Sequence, residues 1–187
     1  EQAGTYLGMI RQLAENIIEE INAQRDLAAA ENYEMKAHPA PIQTGVLLRE
    51  LRQAYARHPS AQDRQVALDP ASVEAELISD QVIIRRVLGN MVKNALEASK
   101  PGDTVTLGCA RENDEIVFRV HNPAVMPEDV QLQIFQRSFS TKGPGRGLGT
   151  FSIKLLSERY LNGHVSFRSS PQEGTIFFAR YPEKLED

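Results

Sequence analysis

Two asparagines, Asn90 and Asn94, are spaced four residues apart in this sequence, and their side chains could act together on a bound group. They fall in an apolar-periodic stretch that predicts a helix, and on a helix this spacing places both amides on one face. Amide oxygens are hard ligands suited to Mg²⁺, which takes few protein ligands and completes its shell with waters and phosphates. Taken alone, the pair is also explained by the polar side of an amphipathic helix.

A glycine-rich turn is the second candidate. Residues 143–149 read Gly-Pro-Gly-Arg-Gly-Leu-Gly directly before a predicted helix. Glycines let backbone N–H groups approach a phosphate, and a helix N-terminus adds a favourable dipole. The turn lacks the Gly-Lys-Ser/Thr ending of a P-loop and does not follow a first strand, which disfavours a dinucleotide-binding site. In isolation, a flexible loop would use the same residues.

The first element of the chain is a predicted helix over residues 6–35. Its apolar positions, which include Ile10, Leu13, Ile17 and Ile21, form a face wider than a two-residue heptad seam. Such a face favours a helix of a four-helix bundle, although it would also suit a helix packed on the following domain. Two prolines within residues 36–43 end the helix and predict an extended crossing and a domain boundary.

The rest of the chain mixes strands and helices without a regular strand–helix–strand repeat. Thr44 is expected to cap one helix, and Ser79 or Asp80 the long helix that carries the asparagines. We expect an α+β fold, a two-layer sandwich of helices on a mixed sheet, preceded by the long bundle-forming helix. The predicted strands are 65–68, 75–78, 104–109, 115–120, 164–169 and 175–181, and the predicted helices are 44–57, 128–135 and 149–161 together with the long helix before Pro101.

Composition narrows the class of protein. The 187 residues carry a net charge of −4, one cysteine, Cys109, and no tryptophan. These features argue against a disulfide framework, a cysteine-rich metal site and a basic nucleic-acid interface, and the apolar runs are too short to span a bilayer. Because the sequence has no initiator Met or signal-peptide pattern, we expect a cytoplasmic piece of a longer protein, and whether the rest of that protein has membrane segments stays open.

Four motifs occur in a fixed order, and together they are specific. They are Asn90-(x)3-Asn94-Ala95, Ile-Phe-Gln-Arg-Ser-Phe-Ser-Thr-Lys at 134–142, Gly145-x-Gly147-Leu148-Gly149, and Gly174-Thr175-x-Phe177. Over residues 44–183 the chain resembles the catalytic ATP-binding domain of sensor histidine kinases, within the superfamily that also includes DNA gyrase, the Hsp90 chaperones and MutL. The resemblance implies a Bergerat-type ATP-binding fold at 44–187, a linker at 39–43, and a dimerisation and phosphotransfer helix at 1–38.

The resemblance also implies a role for each matching residue. Asn94 would coordinate a Mg²⁺ ion that bridges the ATP phosphates, and Asn90 would assist as the second catalytic residue. Lys142 and Arg146 would lie on a lid over the triphosphate, and Thr175 near the adenine. The full ATP-binding set that it implies is Lys93, Asn94, Asn122, Lys142, Gly145, Arg146, Gly147, Leu148, Gly149 and Thr175.

One loop departs from the family pattern. The family has an Asp that accepts a hydrogen bond from the adenine amino group, followed by a Gly-x-Gly turn, where this chain reads His-Asn-Pro-Ala-Val-Met-Pro at 121–127. Counting from the strand assigns the Asp position to Asn122, and counting back from Pro127 assigns it to His121. We favour Asn122, because its side-chain carbonyl can still accept the amino proton.

A second departure separates relatives within the superfamily. Its gyrase, Hsp90 and MutL branches carry a hydrolytic Glu one turn before the metal-binding Asn, where this chain has Asn90, which cannot act as a general base. The resemblance therefore implies phosphoryl transfer to a protein rather than hydrolysis. Glu97 is a possible substitute base, and is equally consistent with a solvated helix residue.

Phosphoryl transfer would need an acceptor histidine. None of His38, His58, His121 and His164 has the expected place on an exposed helix before an acidic residue, so we expect the acceptor on an upstream helix. We expect a histidine kinase that forms a homodimer through its helical region and engages a response-regulator receiver domain. The alternatives are a degenerate ATP-binding domain serving as a phosphotransfer scaffold or response-regulator docking module, and an ATPase clamp of the Hsp90 or MutL type.

Overall fold

The computed structural model describes residues 2–137 and 148–185. Its contacts divide the chain into two compact units, Glu1–Met35 and Lys36–Asp187. The helices are α1 (Gln2–Glu31), α2 (Thr44–Ala56), α3 (Gln81–Ala98), α4 (Glu128–Gln131) and α5 (Leu148–Tyr160), and the strands are β1 (Ala40–Gln43), β2 (Gln65–Leu68), β3 (Glu76–Ser79), β4 (Thr104–Glu112), β5 (Glu115–Asn122), β6 (His164–Ser170) and β7 (Gly174–Pro182).

The first unit is the single helix α1, as its periodicity predicts. It ends at Glu31, four residues earlier than expected, where Tyr33 adopts a left-handed backbone conformation with φ of 60° and the N–H of Glu34 bonds back to Ala29. This arrangement closes the last turn in the way glycine usually does. Five of its large apolar side chains are 58–61% exposed, namely Ile10, Leu13, Ile17, Ile18 and Ile21.

The second unit is built on a five-stranded sheet in the order β2-β4-β5-β7-β6. Only β2 and β4 pair in parallel, and the other neighbours are antiparallel, so the sheet is mixed. Helices α2, α3 and α5 pack together with this sheet. The α+β fold with a mixed sheet, preceded by a helix, is confirmed.

The segment predicted as an extended crossing forms a strand of its own. Strand β1 pairs antiparallel with β3 in a separate two-stranded sheet, with Pro41 opposite Ile78. Proline is tolerated there because β1 lies at an edge, where no further strand needs its missing N–H. Beside the same Ile78, Lys184 forms a parallel bridge.

The expected cap at Thr44 is wrong. Gln43 occupies the cap position of α2 without a side-chain capping bond. The Thr44 hydroxyl instead donates to the carbonyl of Val73 and accepts from the N–H of Ala75, which ties the helix start to the chain before β3. A buried hydroxyl with two backbone partners is satisfied without capping, so the local sequence signal is overridden by a tertiary contact.

Helix α3 follows its prediction closely. Asp80 caps it, with Oδ1 accepting a 2.9 Å hydrogen bond from the N–H of Ile83. Its apolar stripe is buried as the periodicity predicts, at Ile83, Ile84, Val87, Leu88, Met91, Val92, Ala95 and Leu96. By contrast, the helix predicted at 128–135 ends at Gln131, and turns follow it.

Candidate nucleotide site

Asn94 lies beside the start of α5. A Cβ added to Gly149, the second residue of that helix, would lie 3.5 Å from Oδ1 and 3.6 Å from Nδ2 of Asn94. The Nδ2 atom is buried, and it has no hydrogen-bond partner among residues 2–137 and 148–185. A buried amide without a partner is unusual and calls for an explanation. Here it lies next to a helix N-terminus, which favours anions.

Asn90 and Lys93 are both half-buried on the same helix, near Asn94. Gly89, just before Asn90, brings α3 close to α2, because a Cβ there would lie 2.6 Å from the Tyr55 hydroxyl. The glycine therefore sets the spacing of the two helices at the level of the asparagine pair.

Asn122 and Thr175 are directly opposite each other where β5 pairs with β7, and both are buried. Along β5, Asn122 shares a face with Ile116, Phe118 and Val120, because strand side chains alternate. This is the face that α5 covers, since Tyr181 lies opposite Ile116 and its hydroxyl shares a 2.8 Å hydrogen bond with Ser157 of α5.

His121 points to the other face of the sheet. Its Nε2 lies 2.8 Å from the carbonyl oxygen of Glu173, to which it donates in the matching tautomer. Of the two residues that sequence counting leaves open, Asn122 is therefore the one on the helix-covered face. The Nδ2 of Asn122 is buried and, within the described ranges, has no hydrogen-bond partner.

The loop at 123–127 is held by two hydroxyl groups that sequence reasoning did not combine. Thr175 donates to the carbonyl of Ala124, and Ser169 accepts from the N–H of Met126, each at 2.8 Å. The same two hydroxyls share a further 2.8 Å hydrogen bond. The side-chain amide of Gln131 adds a bond to the carbonyl of Met126. A chain of side-chain bonds thus shapes the loop that lacks the expected glycines.

The glycine that this region needs is on the neighbouring strand. Gly174 has a φ of +70°, and an added Cβ would collide with the carbonyl oxygen of Asn122 and come within 2.8 Å of the Cα of Pro123. Only glycine combines this backbone conformation with so close an approach. Gly174, the first residue of β7, is therefore the glycine that allows close packing against the loop at 123–127.

Aromatic packing anchors the chain that leads into the glycine-rich turn. The ring of Phe135 contacts the rings of Phe167 and Phe177, and the centroid distances are 5.9 and 6.2 Å. The ammonium of Lys154 lies 5.9 Å from the centroid of the Phe135 ring. Lys142, Gly145, Arg146 and Gly147 lie outside the described residues, whereas Leu148 and Gly149 are the first two residues of α5.

Comparison with known proteins identifies the family of this fold and site. A family model described as the histidine kinase-, DNA gyrase B- and HSP90-like ATPase matches residues 79–185, more than half of the chain. The chain belongs to this ATPase family. The match spans α3 with its asparagine pair, the Asn122 loop and the start of α5.

Within the ATPase family, the proteins similar to this chain include sensor histidine kinases. The sensor protein DegM of a Bacillus species is 33% identical over 132 residues, which cover 69% of this chain and 35% of DegM. The circadian input-output histidine kinase CikA of Synechococcus elongatus is 26% identical over an alignment of 193 positions, which covers 98% of this chain and 26% of CikA. The chain thus spans only a quarter to about a third of the length of these relatives.

Solved structures share the fold. The catalytic domain of histidine kinase ThkA superposes with a TM-score of 0.69 at 20% identity, covering 80% of this chain and 99% of that domain. Full-length ShkA in complex with AMPPNP superposes with a TM-score of 0.79 at 22% identity, covering 97% of this chain and 39% of ShkA. These likenesses show the fold, and together with the family match and the relative DegM they identify a catalytic ATP-binding domain of the sensor histidine kinase type. Among the helices of residues 2–137 and 148–185, none is long and apolar enough to cross a membrane.

The donor set near α5 fits the cation that the ATPase family implies. Asn94 offers an amide oxygen, a hard neutral ligand that Mg²⁺ accepts when phosphates supply the charged ligands. Its Nδ2, which has no partner in the described part of the chain, can donate to a phosphate oxygen beside the same helix N-terminus.

Proposed function

We propose that this chain binds Mg-ATP and transfers its γ-phosphoryl group to a histidine of a two-component signalling protein. The observation that carries the proposal is the buried Nδ2 of Asn94, which has no hydrogen-bond partner among residues 2–137 and 148–185 and lies against the N-terminus of α5. Phosphoryl transfer depends mainly on positioning and on neutralising charge, and both can be supplied by this amide, the helix end and a cation.

The residues around Asn94 would divide this work. Asn94 would hold Mg²⁺, which neutralises charge on the phosphates, and Asn90 would assist it. The glycine-rich turn with Lys142 and Arg146 would cover the triphosphate, and Lys93 would add positive charge. Asn122 and Thr175 would meet the base. Because Asn90 replaces the hydrolytic Glu of other branches, transfer to a protein is favoured over hydrolysis.

Binding of nucleotide tests the proposal directly. Isothermal titration of the chain with ATP and Mg²⁺ should detect binding, and Asn94→Ala should weaken it at least tenfold, a loss of about 1.4 kcal/mol. The matched control is Gln53→Ala, an exposed polar residue of α2, which should leave affinity unchanged. Thermal unfolding of each variant separates loss of binding from loss of fold.

The absence of nucleotide binding by the wild type would reject the kinase proposal and favour the alternative, a scaffold that docks a response regulator. Where binding is present, a form of the protein that carries a helix with an acceptor histidine ahead of α1 should acquire label from γ-labelled ATP. Steady ATP turnover without a labelled protein would indicate the clamp-type ATPase instead.

We further propose that α1 pairs with a second copy to form a homodimer. Its support is the row of isoleucine and leucine side chains that stay more than half exposed, a pattern typical of helices that bury one face in a bundle. Light scattering should give a dimer mass, and Ile17→Glu should shift it to the monomer without changing nucleotide affinity. A monomeric wild type would contradict the pairing.

A further inference from the structure

The amide of Asn122 has one group that nothing in the described structure uses. The residue is only 2% exposed, and its Nδ2 has no hydrogen-bond partner within residues 2–137 and 148–185. The side-chain hydroxyls of Thr175, which pairs with Asn122, and of Ser169 already have hydrogen-bond partners. Thr175 donates to Ala124 and is bonded to Ser169, which in turn accepts from Met126.

The backbone at Asn122 is fixed on both sides. It is paired with Thr175 across β5 and β7, and Gly174 packs against its carbonyl oxygen. His121, the residue before it, is held through its ring to Glu173. The backbone of Asn122 is therefore held in place, while rotation about the last bond of the side chain can exchange the oxygen and the nitrogen of the amide.

An amide and a carboxylate in the same position differ in the hydrogen-bonding partners that they can take. An ionised carboxylate is acceptor-only, so it selects a partner with a donor, such as the 6-amino group of adenine. An amide offers either an acceptor or a donor. It can therefore meet a 6-amino group with Oδ1 or a 6-oxo group with Nδ2, and it carries no charge that repels the oxo group.

We infer that Asn122 makes the base end of this site permissive at position 6 of the purine, so that 6-oxopurine nucleotides bind comparably to ATP. The inference rests on the proposed nucleotide-binding function, which places the phosphates at Asn94 and the base at Asn122. It concerns specificity alone, since the contacts that hold the triphosphate are unchanged between the two classes of nucleotide.

Inosine triphosphate is the probe, because it differs from ATP in the 6-substituent and the protonation of the adjacent ring nitrogen and lacks the 2-amino group of GTP. Titration of the wild type with Mg-ATP and Mg-ITP should give dissociation constants within about threefold of each other. Asn122→Asp should raise the preference for ATP over ITP to tenfold or more, because a carboxylate accepts from the amino group and repels the oxo group.

The control is Asn113→Asp, the same change in the β4–β5 turn at the other end of the strand, which should leave the ratio unchanged. If Asn122→Asp does not fold, the wild-type ratio alone decides the inference. A wild type that binds ATP more than tenfold better than ITP overturns it while the proposed function stands. A wild type that binds neither nucleotide overturns both.

Discussion

One carboxylate oxygen of Asp80 accepts a 2.8 Å hydrogen bond from the backbone N–H of His38, in the segment after α1. Its other oxygen caps α3, the helix that carries Asn94. A single side chain thus connects the chain entering the ATP-binding unit with the helix on which the proposed chemistry depends.

Replacing Asp80 should therefore lower the free energy of unfolding by more than the loss of a helix cap alone would. Asp80→Ala removes both bonds and should lower the free energy of unfolding by about 1–2 kcal/mol. Asp80→Asn keeps the oxygen that caps α3 but loses the acceptor for His38, so its loss should be about half as large. Urea denaturation measures both values, and an Asp80→Asn variant as stable as the wild type would show that the bond to His38 contributes nothing.

Gly174 and Gly102 form a matched pair for separating backbone strain from crowding. Both have positive φ, but a Cβ on Gly102 would meet nothing within 4 Å, whereas one on Gly174 would strike Asn122 and Pro123. Gly102→Ala should lower stability by about 1 kcal/mol, the cost of the left-handed conformation alone. Gly174→Ala should lower it by about 3 kcal/mol or more. Similar losses in thermal unfolding would contradict the close approach.

The Thr175 hydroxyl is expected to stabilise the loop at 123–127. Thr175→Val keeps the shape of the side chain but leaves the Ala124 carbonyl and the Ser169 hydroxyl without this partner, which should cost about 1–3 kcal/mol. Thr175→Ser retains the hydroxyl and should cost less. Denaturation of the two variants checks this order, and hydrogen exchange at the Met126 N–H should be faster in Thr175→Val alone.

Cys109 should be protected from alkylation. The thiol is buried, and this burial raises its pKa to about 11, although a hydrogen bond with Thr44 and the charge of Arg119 oppose the rise. Little thiolate is therefore present near neutral pH, so iodoacetamide should label the native protein slowly and the urea-unfolded protein quickly. Equal labelling rates would place the thiol at the surface.

The same shift in the pKa of Cys109 makes stability depend on pH. Above the ordinary thiol pKa of 9.0 the side chain ionises in the unfolded chain but stays protonated in the folded one up to about 11, so the unfolded state binds fewer protons and stability falls across that window. Burial also raises the pKa of Tyr181, in the same direction. The difference between the wild type and Cys109→Ala isolates the thiol, and the variant should lose less stability between pH 9 and 11.

Local patterns in the sequence predict α3 well because two independent signals agree there. The apolar period fixes its buried face, and Asp80 marks its start. The asparagine spacing then places Asn90 and Asn94 on that helix. The contact of Asn94 with Gly149 depends on the packing of α3 against α5, which no local pattern encodes.

The features that sequence reasoning missed depend on partners far along the chain. The proline of β1, Pro41, argues against a strand, and it is accepted because β1 lies at the edge of its two-stranded sheet. Thr44 looks like a cap, but its hydroxyl bonds to Val73 and Ala75. Gly174 belongs to a motif with Thr175, yet the residues next to it in the sequence do not predict that it lies against Asn122.

Strand β3 has a consequence for how this unit can be combined with others. Strand β1, at the start of the unit, and Lys184, near its end, lie on either side of β3. Ile78 pairs with Pro41 on one side and forms the bridge to Lys184 on the other. With two strand spacings between them, the two points lie roughly 10 Å apart. A unit whose entry and exit are adjacent can be inserted into, or exchanged between, larger proteins without rearranging its interior. Fusing a reporter domain after Lys184 would therefore place it beside the point where the chain enters this unit.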